Sequence, residues 1–258
     1  MAGTPQAAAG FRLLPSSLIE QRLRAAPRAN RERERAIKQM FEAAGCGGSR
    51  LREQAINSRG DSNLICTAPG QTSSVIIVGG HLDHVRQGAG IVDDWSGASL
   101  LPSLYQTLYN RPRRHTLIFV AFTDEEQGLV GSKRYVQGLS RAELHRIRAM
   151  VNLECLGLGA PEIWADHADP SLLPPLDAVA HSMATWIPRV NLEWVGRDDA
   201  MSFRHRKVPT ITIHSLTQET VGVLHTRRDN LSAERMTYYY GTYSLVAGYL
   251  VKLDRTLP

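Results

Sequence analysis

The run Thr116-Leu117-Ile118-Phe119-Val120-Ala121-Phe122 constrains this chain more than any other segment because of how it ends. Asp124 follows, then the adjacent pair Glu125-Glu126, then Gly128. An apolar and β-branched run of this length, bounded by acids and a glycine, reads as a buried strand. Two neighbouring carboxylates at the end of such a strand repel each other and cost desolvation energy. A metal ion is the strongest candidate for offsetting that cost. Neighbours along a strand point in opposite directions, but a turn just past its end brings both to one place. One Glu then serves as a ligand while the other moves protons.

The rest of the chain supplies a setting for that strand. Ser17 and Glu20 have capping-box spacing and predict a short helix to about Ala26. Asn30 predicts the cap of a second helix, which Gly45 ends. The Arg31–Arg35 run within it, alternating Arg and Glu, reads as a solvated face carrying intrahelical pairs. Strands are expected at 51–57, 63–66, 75–78, 116–122, 150–153, 162–165, 191–195 and 210–214. Helices are expected at 96–109, where Pro102 predicts a kink or an early boundary, and near 131–137 and 141–148. A closing helix is expected from Asn230 or Ser232 to about Lys252. Strands alternating with helices imply an α/β fold: one largely parallel sheet covered on both faces. The expectation is a single catalytic domain over 1–258 with a helical lead at 16–45.

Composition excludes several classes. With 258 residues, 43% hydrophobic and 21% charged, the chain can bury one substantial core. The formal charge of +5 invites a nucleic-acid reading, but the arginines are scattered and no nucleic-acid motif is present. No apolar run approaches the ~20 residues that span a bilayer. Met1-Ala2-Gly3-Thr4-Pro5 has neither a basic region nor an apolar core, so it does not read as a signal peptide. Cys46, Cys66 and Cys155 match no zinc-finger spacing. They read as buried free thiols; a Cys46–Cys66 bond is the alternative and would imply export.

Further potential ligands fall at the ends of other predicted strands. His81 follows Val75–Gly80, Glu154 follows Met150–Leu153, and His225 lies in a loop after residues 210–214. Open α/β sheets place their sites outside the carboxyl ends of the strands. A single His or Glu there is weak evidence, but four independent coincidences at one edge are not.

The segments His81-Leu82-Asp83, Asp93-Asp94-Trp95-Ser96-Gly97, Glu125–Ser132, Asn152-Leu153-Glu154 and His225-Thr226 resemble, in order and spacing, the successive motifs of the co-catalytic zinc aminopeptidases. That family includes the secreted bacterial leucyl aminopeptidases, the glutamate carboxypeptidase II type and the glutaminyl cyclases. The resemblance implies a three-layer α/β/α sandwich around a mixed, largely parallel sheet, with two zinc ions as cofactors. It assigns His81 and Glu154 to one ion, Glu126 and His225 to the other, and Asp93 to both. Glu125 would be the general acid/base. Asp83 would accept the second imidazole proton of His81, as outer carboxylates do. A cis peptide is implied at Asp93-Asp94, and Arg197 resembles a substrate-binding Arg of some bacterial members.

Three departures from the family pattern stand out. Glu154 replaces the usual Asp, and Leu224 replaces a Tyr found before the His in several relatives. Trp95 fills a position commonly small or polar, so it reads as core packing or as a wall of the substrate pocket. His84, His205, His214, Arg86 and Asp229 read as supporting residues. The function implied is a metallo-aminopeptidase acting on peptides with a free amino terminus. The alternatives are a glutaminyl cyclase on the same scaffold and a non-catalytic metal-binding module. With no insertion or dimerisation domain visible, a monomer is the expectation, and the resemblance favours a secreted or periplasmic protein.

Overall fold

In a computed structural model of the chain, which describes residues 11–191 and 196–258, both faces of the Thr116–Phe122 strand are covered. Its side chains alternate between two cores. Phe119 and Ala121 join a large cluster on one face, whereas Val120 and Phe122 join a second cluster on the other. The same alternation puts Ile76 and Val78 in the first core and Ile77 in the second. Period-two geometry with no solvated side explains why these runs are apolar throughout.

The strands are β1 Leu51–Ala55, β2 Ser62–Ala68, β3 Val75–His81, β4 Thr116–Phe122, β5 Ile147–Leu153, β6 Glu162–Trp164, β7 Arg189–Val190 and β8 Thr210–His214. They form one eight-stranded sheet in the order β1-β2-β4-β3-β5-β8-β6-β7. The central four, β4, β3, β5 and β8, run parallel. β1 and β2 extend the β4 edge antiparallel, and β6 pairs antiparallel with β8. The sheet is therefore mixed but parallel at its centre, so several loops emerge together at the carboxyl ends of the central strands.

Helices α1 Ser16–Arg24, α2 Asn30–Ala43, α3 Ser96–Leu108, α6 Leu173–Ser182 and α8 Met236–Thr256 pack on the larger core. Ile19, Leu23, Ile37 and Phe41 of the first two meet Tyr105, Tyr243 and Leu250 there. Helices α4 Val130–Gln137 and α7 Ala200–Arg204 contribute Tyr135, Val136, Ala200 and Phe203 to the opposite core, near which lies α5 Arg141–Arg146. Two helix-covered faces around one sheet give the three layers.

Several local expectations are corrected. The Ser17–Glu20 capping box does not form: α1 starts after Pro15 without a side-chain cap. Asn30 does not cap α2 either; its amide pairs with the backbone of His84, accepting from the N–H at 3.2 Å. Pro102 lies inside α3 without ending it, because burial of almost the whole helix outweighs one missing backbone hydrogen bond. Asn230 caps a single 3₁₀ turn, and the closing helix starts at Met236. Helices α6 and α7 were not expected. Pro174 and Pro175 hide the first, although proline suits the opening positions of a helix. The strand expected at 191–195 lies mostly outside the described residues; β7 ends at Val190.

Cys46 and Cys66 form a disulfide, which overturns the free-thiol reading; Cys155 is free and buried. Cys46 follows the C-terminus of α2, and Cys66 lies on β2 against which that helix packs. Sequence separation carries no trace of that packing. The solvated reading of the Arg31–Arg35 run fails at Arg33, whose side chain is entirely buried.

Candidate metal centre and substrate cleft

His81 is the last residue of β3, Glu154 directly follows β5, and Glu125 and Glu126 sit in the turn after β4. Asp93 lies in the short segment Ile91–Trp95 that feeds α3, with non-helical backbone angles (φ −112°, ψ 92°), and the Asp93-Asp94 peptide is cis. His225 comes from the loop after β8, with φ of +56°. These residues, distant in sequence, converge on Asp93. One of its oxygens lies 3.1 Å from His81 Nε2, and the other lies 3.1 Å from His225 Nε2. Glu154 Oε1 completes the first group at 3.3 Å from His81 Nε2. Glu126 Oε2 completes the second at 3.1 Å from His225 Nε2. Glu125 Oε2 stands 4.0 Å from His81 Nε2, beside both groups.

Each group, His81-Asp93-Glu154 and Asp93-Glu126-His225, brings its donor atoms within 4.8 Å of one another. The donors converge without satisfying one another. His81 Nε2 is buried between two carboxylate oxygens yet makes no hydrogen bond, and Glu126 Oε1 is buried without a partner. Buried polar atoms left in this condition are costly unless something else fills the space between them. Imidazole nitrogen and carboxylate oxygen suit zinc, so the residues present fit metal ions.

Electrostatics points the same way. Burial alone would depress the His81 pKa, but Glu154 and Glu125 outweigh it and hold the imidazole well above its ordinary value. The carboxylates of Asp93 and then Glu126, each 3.1 Å from its Nε2 and ready to accept its proton, raise His225 to about 10. Burial, opposed by His81 but reinforced by Asp199 and Glu154, pushes Glu125 up to about 10. Burial raises Asp199 to about 8. The pocket thus holds more acid than its two imidazoles can neutralise, and cations would relieve the excess.

The scaffold under these donor groups is built largely from hydrogen bonds to the backbone. Asp83 accepts from the N–H of Glu125 at 3.0 Å and of Glu126 at 3.2 Å, one oxygen each. This locks the turn that presents the pair. Toward His81, the Asp83 backbone carbonyl lies 3.1 Å from Nδ1 and its carboxylate 3.6 Å, so the residue faces that nitrogen while it also holds the turn. Asp94 is completely buried and gathers three segments, accepting from the N–H of His81, Gly97 and Cys155. Gly97 is required here, since a Cβ would lie 2.5 Å from the Asp94 carboxylate and 2.6 Å from the Leu153 carbonyl. Asp229 accepts from Val92 N at 2.8 Å. Arg33 donates to the carbonyls of Pro27, Leu82, Ala89 and Gly90, clamping the chain on both sides of the His81–Asp93 loop.

Trp95 is not a pocket wall. It is fully buried, its Nε1 donates to Arg22 O at 3.1 Å, and the Arg33 guanidinium lies 5.4 Å from its ring centre. His84 is structural, its Nε2 lying 2.8 Å from the Arg28 carbonyl.

The two donor groups open onto a cleft of about 440 Å³. Asp93, Glu125, Glu126, Glu154 and His225 line it, as does the exposed Arg197. Leu224 lies in the wall, and Cys155, Trp164 and Leu216 extend the apolar surface. Asp198 and His214 also line it, and sequence reasoning did not single out Asp198. The signal was present: Asp198-Asp199 is a further pair of adjacent acids, after Asp93-Asp94 and Glu125-Glu126, and Asp199 too is buried with both carboxylate oxygens unpartnered.

The chain belongs to Peptidase family M28, whose model matches residues 63–247. Leupeptin-inactivating enzyme 1 of Streptomyces exfoliatus is 32% identical over 152 residues, which is 57% of this chain but 34% of that relative's length. Among solved structures, the LapA aminopeptidase of Legionella pneumophila shares the fold with a TM-score of 0.80 at 18% identity, covering 98% of this chain and 75% of that one. An Acidobacteriales bacterium glutaminyl cyclase shares it with a TM-score of 0.73 at 20% identity, covering 98% and 94%. No helix among the described residues is long and apolar enough to cross a membrane.

Proposed function

We propose that this chain is a zinc-dependent aminopeptidase that releases the first residue of peptides. His81 and Glu154 would hold one ion, Glu126 and His225 a second, and Asp93 both. The observation that carries this reading is the pair of three-donor groups sharing Asp93, with Glu125 alongside. When bound, two such ions polarise a scissile carbonyl and make water a nucleophile at neutral pH.

The protein's own groups supply positioning and proton transfer. Glu125 takes the proton of the attacking water and delivers it to the leaving amine. Asp83 fixes the backbone of that Glu, so its carboxylate need not be reoriented during reaction. Carboxylates that the ions leave unneutralised would attract a free ammonium, which suits the cleft to a peptide's amino terminus. Arg197, which is exposed and lines the same cleft, would meet carbonyl oxygens further along the peptide.

The zinc-loaded protein is expected to hydrolyse aminoacyl p-nitroanilides, lose activity to a chelator and regain it with added zinc. Activity that survives complete metal removal would sink this reading. The second reading, a glutaminyl cyclase, draws on the fold shared with cyclases. Against it, Gln127–Ser132 after the Glu pair resembles the peptidase branch. Cyclisation of amino-terminal glutamine with one zinc per chain and no anilide hydrolysis would replace the first reading with the second. A folded protein that takes up no metal from added zinc would leave a non-catalytic module.

A further inference from the structure

Part of the cleft lining is polar in a way the metal chemistry does not use. Cys155, Trp164, Leu216, Val221 and Leu224 give it apolar sides. Asp198 and His214 also line it, and each is only 1% exposed. Asp198 Oδ2 accepts the Thr212 hydroxyl, but Oδ1 has no hydrogen-bond partner. Among the described residues no Lys or Arg pairs with this carboxylate; the nearest cationic candidate, His167 Nδ1, is 3.8 Å from Oδ2. His214 Nδ1 accepts the Leu216 N–H at 3.0 Å, which places the ring proton on Nε2. That Nε2 is buried and has no acceptor. The cleft therefore presents an unused acceptor, Asp198 Oδ1, and an unused donor, His214 Nε2–H.

Building on the aminopeptidase reading, we infer that Asp198 and His214 recognise the substrate's first side chain and select tips that carry N–H donors. Such tips are the ammonium of Lys, the guanidinium of Arg and the carboxamide of Gln. An N–H donor at the tip satisfies Asp198 Oδ1, and the apolar sides cover the methylene stem. A carboxamide also offers its carbonyl to His214 Nε2–H. A leucine side chain would leave both buried atoms without water and without partners. Sites built to hydrogen-bond a substrate group discriminate strongly against analogues lacking it.

The experiment compares kcat/KM of the zinc-loaded full chain for the p-nitroanilides of Arg, Lys, Gln and Leu. Calorimetric binding of free lysine, glutamine and norleucine to the same protein gives a readout independent of turnover. Donor-bearing substrates are expected to exceed Leu by at least about tenfold. Asp198→Leu should invert that order. Asp198→Asn, which keeps the shape and an acceptor but removes the charge, guards against misfolding of the first variant. It should reduce Arg and Lys by at least about tenfold more than Gln if the cation is the cognate tip, and reduce all three alike if the carboxamide is. Zinc content and circular dichroism establish that each variant is folded.

Hydrolysis with Leu equal to or better than Arg, Lys and Gln would overturn the inference and leave the peptidase reading intact. Asp198-dependent binding of lysine or glutamine without hydrolysis of any anilide would do the reverse. Neither binding nor hydrolysis by the zinc-loaded protein would remove both.

Discussion

The two donor groups share Asp93 but are built differently. His81 ends a central strand and its side chain is 1% exposed, whereas His225 hangs from a loop with its side chain 55% exposed. Around His81, Asp94 ties the end of β3 to the start of α3 and the end of β5, while Arg33 clamps the following loop. The loop of His225 has fewer such ties: the Thr226 hydroxyl donates to the Val223 carbonyl at 2.8 Å, and Asp229 accepts from Val92 N at 2.8 Å. One half of the site is thus part of the sheet and the other is attached to it. Interactions held by buried, over-determined structure respond to mutation as stability changes, whereas exposed ones respond mainly as binding changes.

The largest expected effect falls between the halves. Glu125→Gln should lower kcat by roughly 10²–10⁴ while both ions remain bound, measured by steady-state kinetics and metal analysis. Retained turnover would remove Glu125 from its proposed role. The sharpest break of the comparison itself is His81→Ala against His225→Ala. Removing His81 leaves Asp93 and Glu154 buried without their imidazole and should cost the metal-free protein about 3–5 kcal/mol in denaturant unfolding. Removing the half-exposed His225 should cost no more than about 1 kcal/mol while lowering zinc stoichiometry. Equal stability losses would show that the two halves are not built differently after all.

Arg33→Met probes the frame behind the first half and is expected to destabilise by about 3 kcal/mol, because buried carbonyls lose their donor. Its fingerprint should be weaker zinc binding as well as a lower unfolding midpoint; a stability loss with unchanged zinc affinity would separate the clamp from the metal centre.

The smallest effect is a pH dependence. Burial depresses His214 to about 4, with Asp198 opposing, against an ordinary value of 6.5. Between those values the unfolded chain binds the proton and the folded one does not, so stability is full above about 6.5 and falls as pH drops toward 4. The loss should reach about 2 kcal/mol by about pH 5 and be reduced by that amount in His214→Gln, as read from the difference between the two stability-versus-pH curves.

The central strands and their acidic or imidazole ends were legible because both depend on local pattern. An apolar run declares a strand, and a carboxylate pair after it declares an electrostatic problem. The disulfide, α6 and the role of Arg33 were not legible. Arg33 sits in a run whose Arg-Glu alternation matches an exposed helix face, and only the carbonyls of Leu82, Ala89 and Gly90 make it a buried clamp. Trp95 could be read either way until its indole was found against Arg22 and Arg33.

By itself the sequence determined the sheet's core strands, the donor types and their order along the chain, since these rest on periodicity and on the chemistry of each side chain. Tertiary structure alone decided that Asp93 lies 3.1 Å from each of two imidazoles, that Asp83 fastens the Glu turn, and that Asp198 and His214 line the same cleft. Those outcomes depend on distances between segments far apart in the chain, and such distances exist only once the layers have packed.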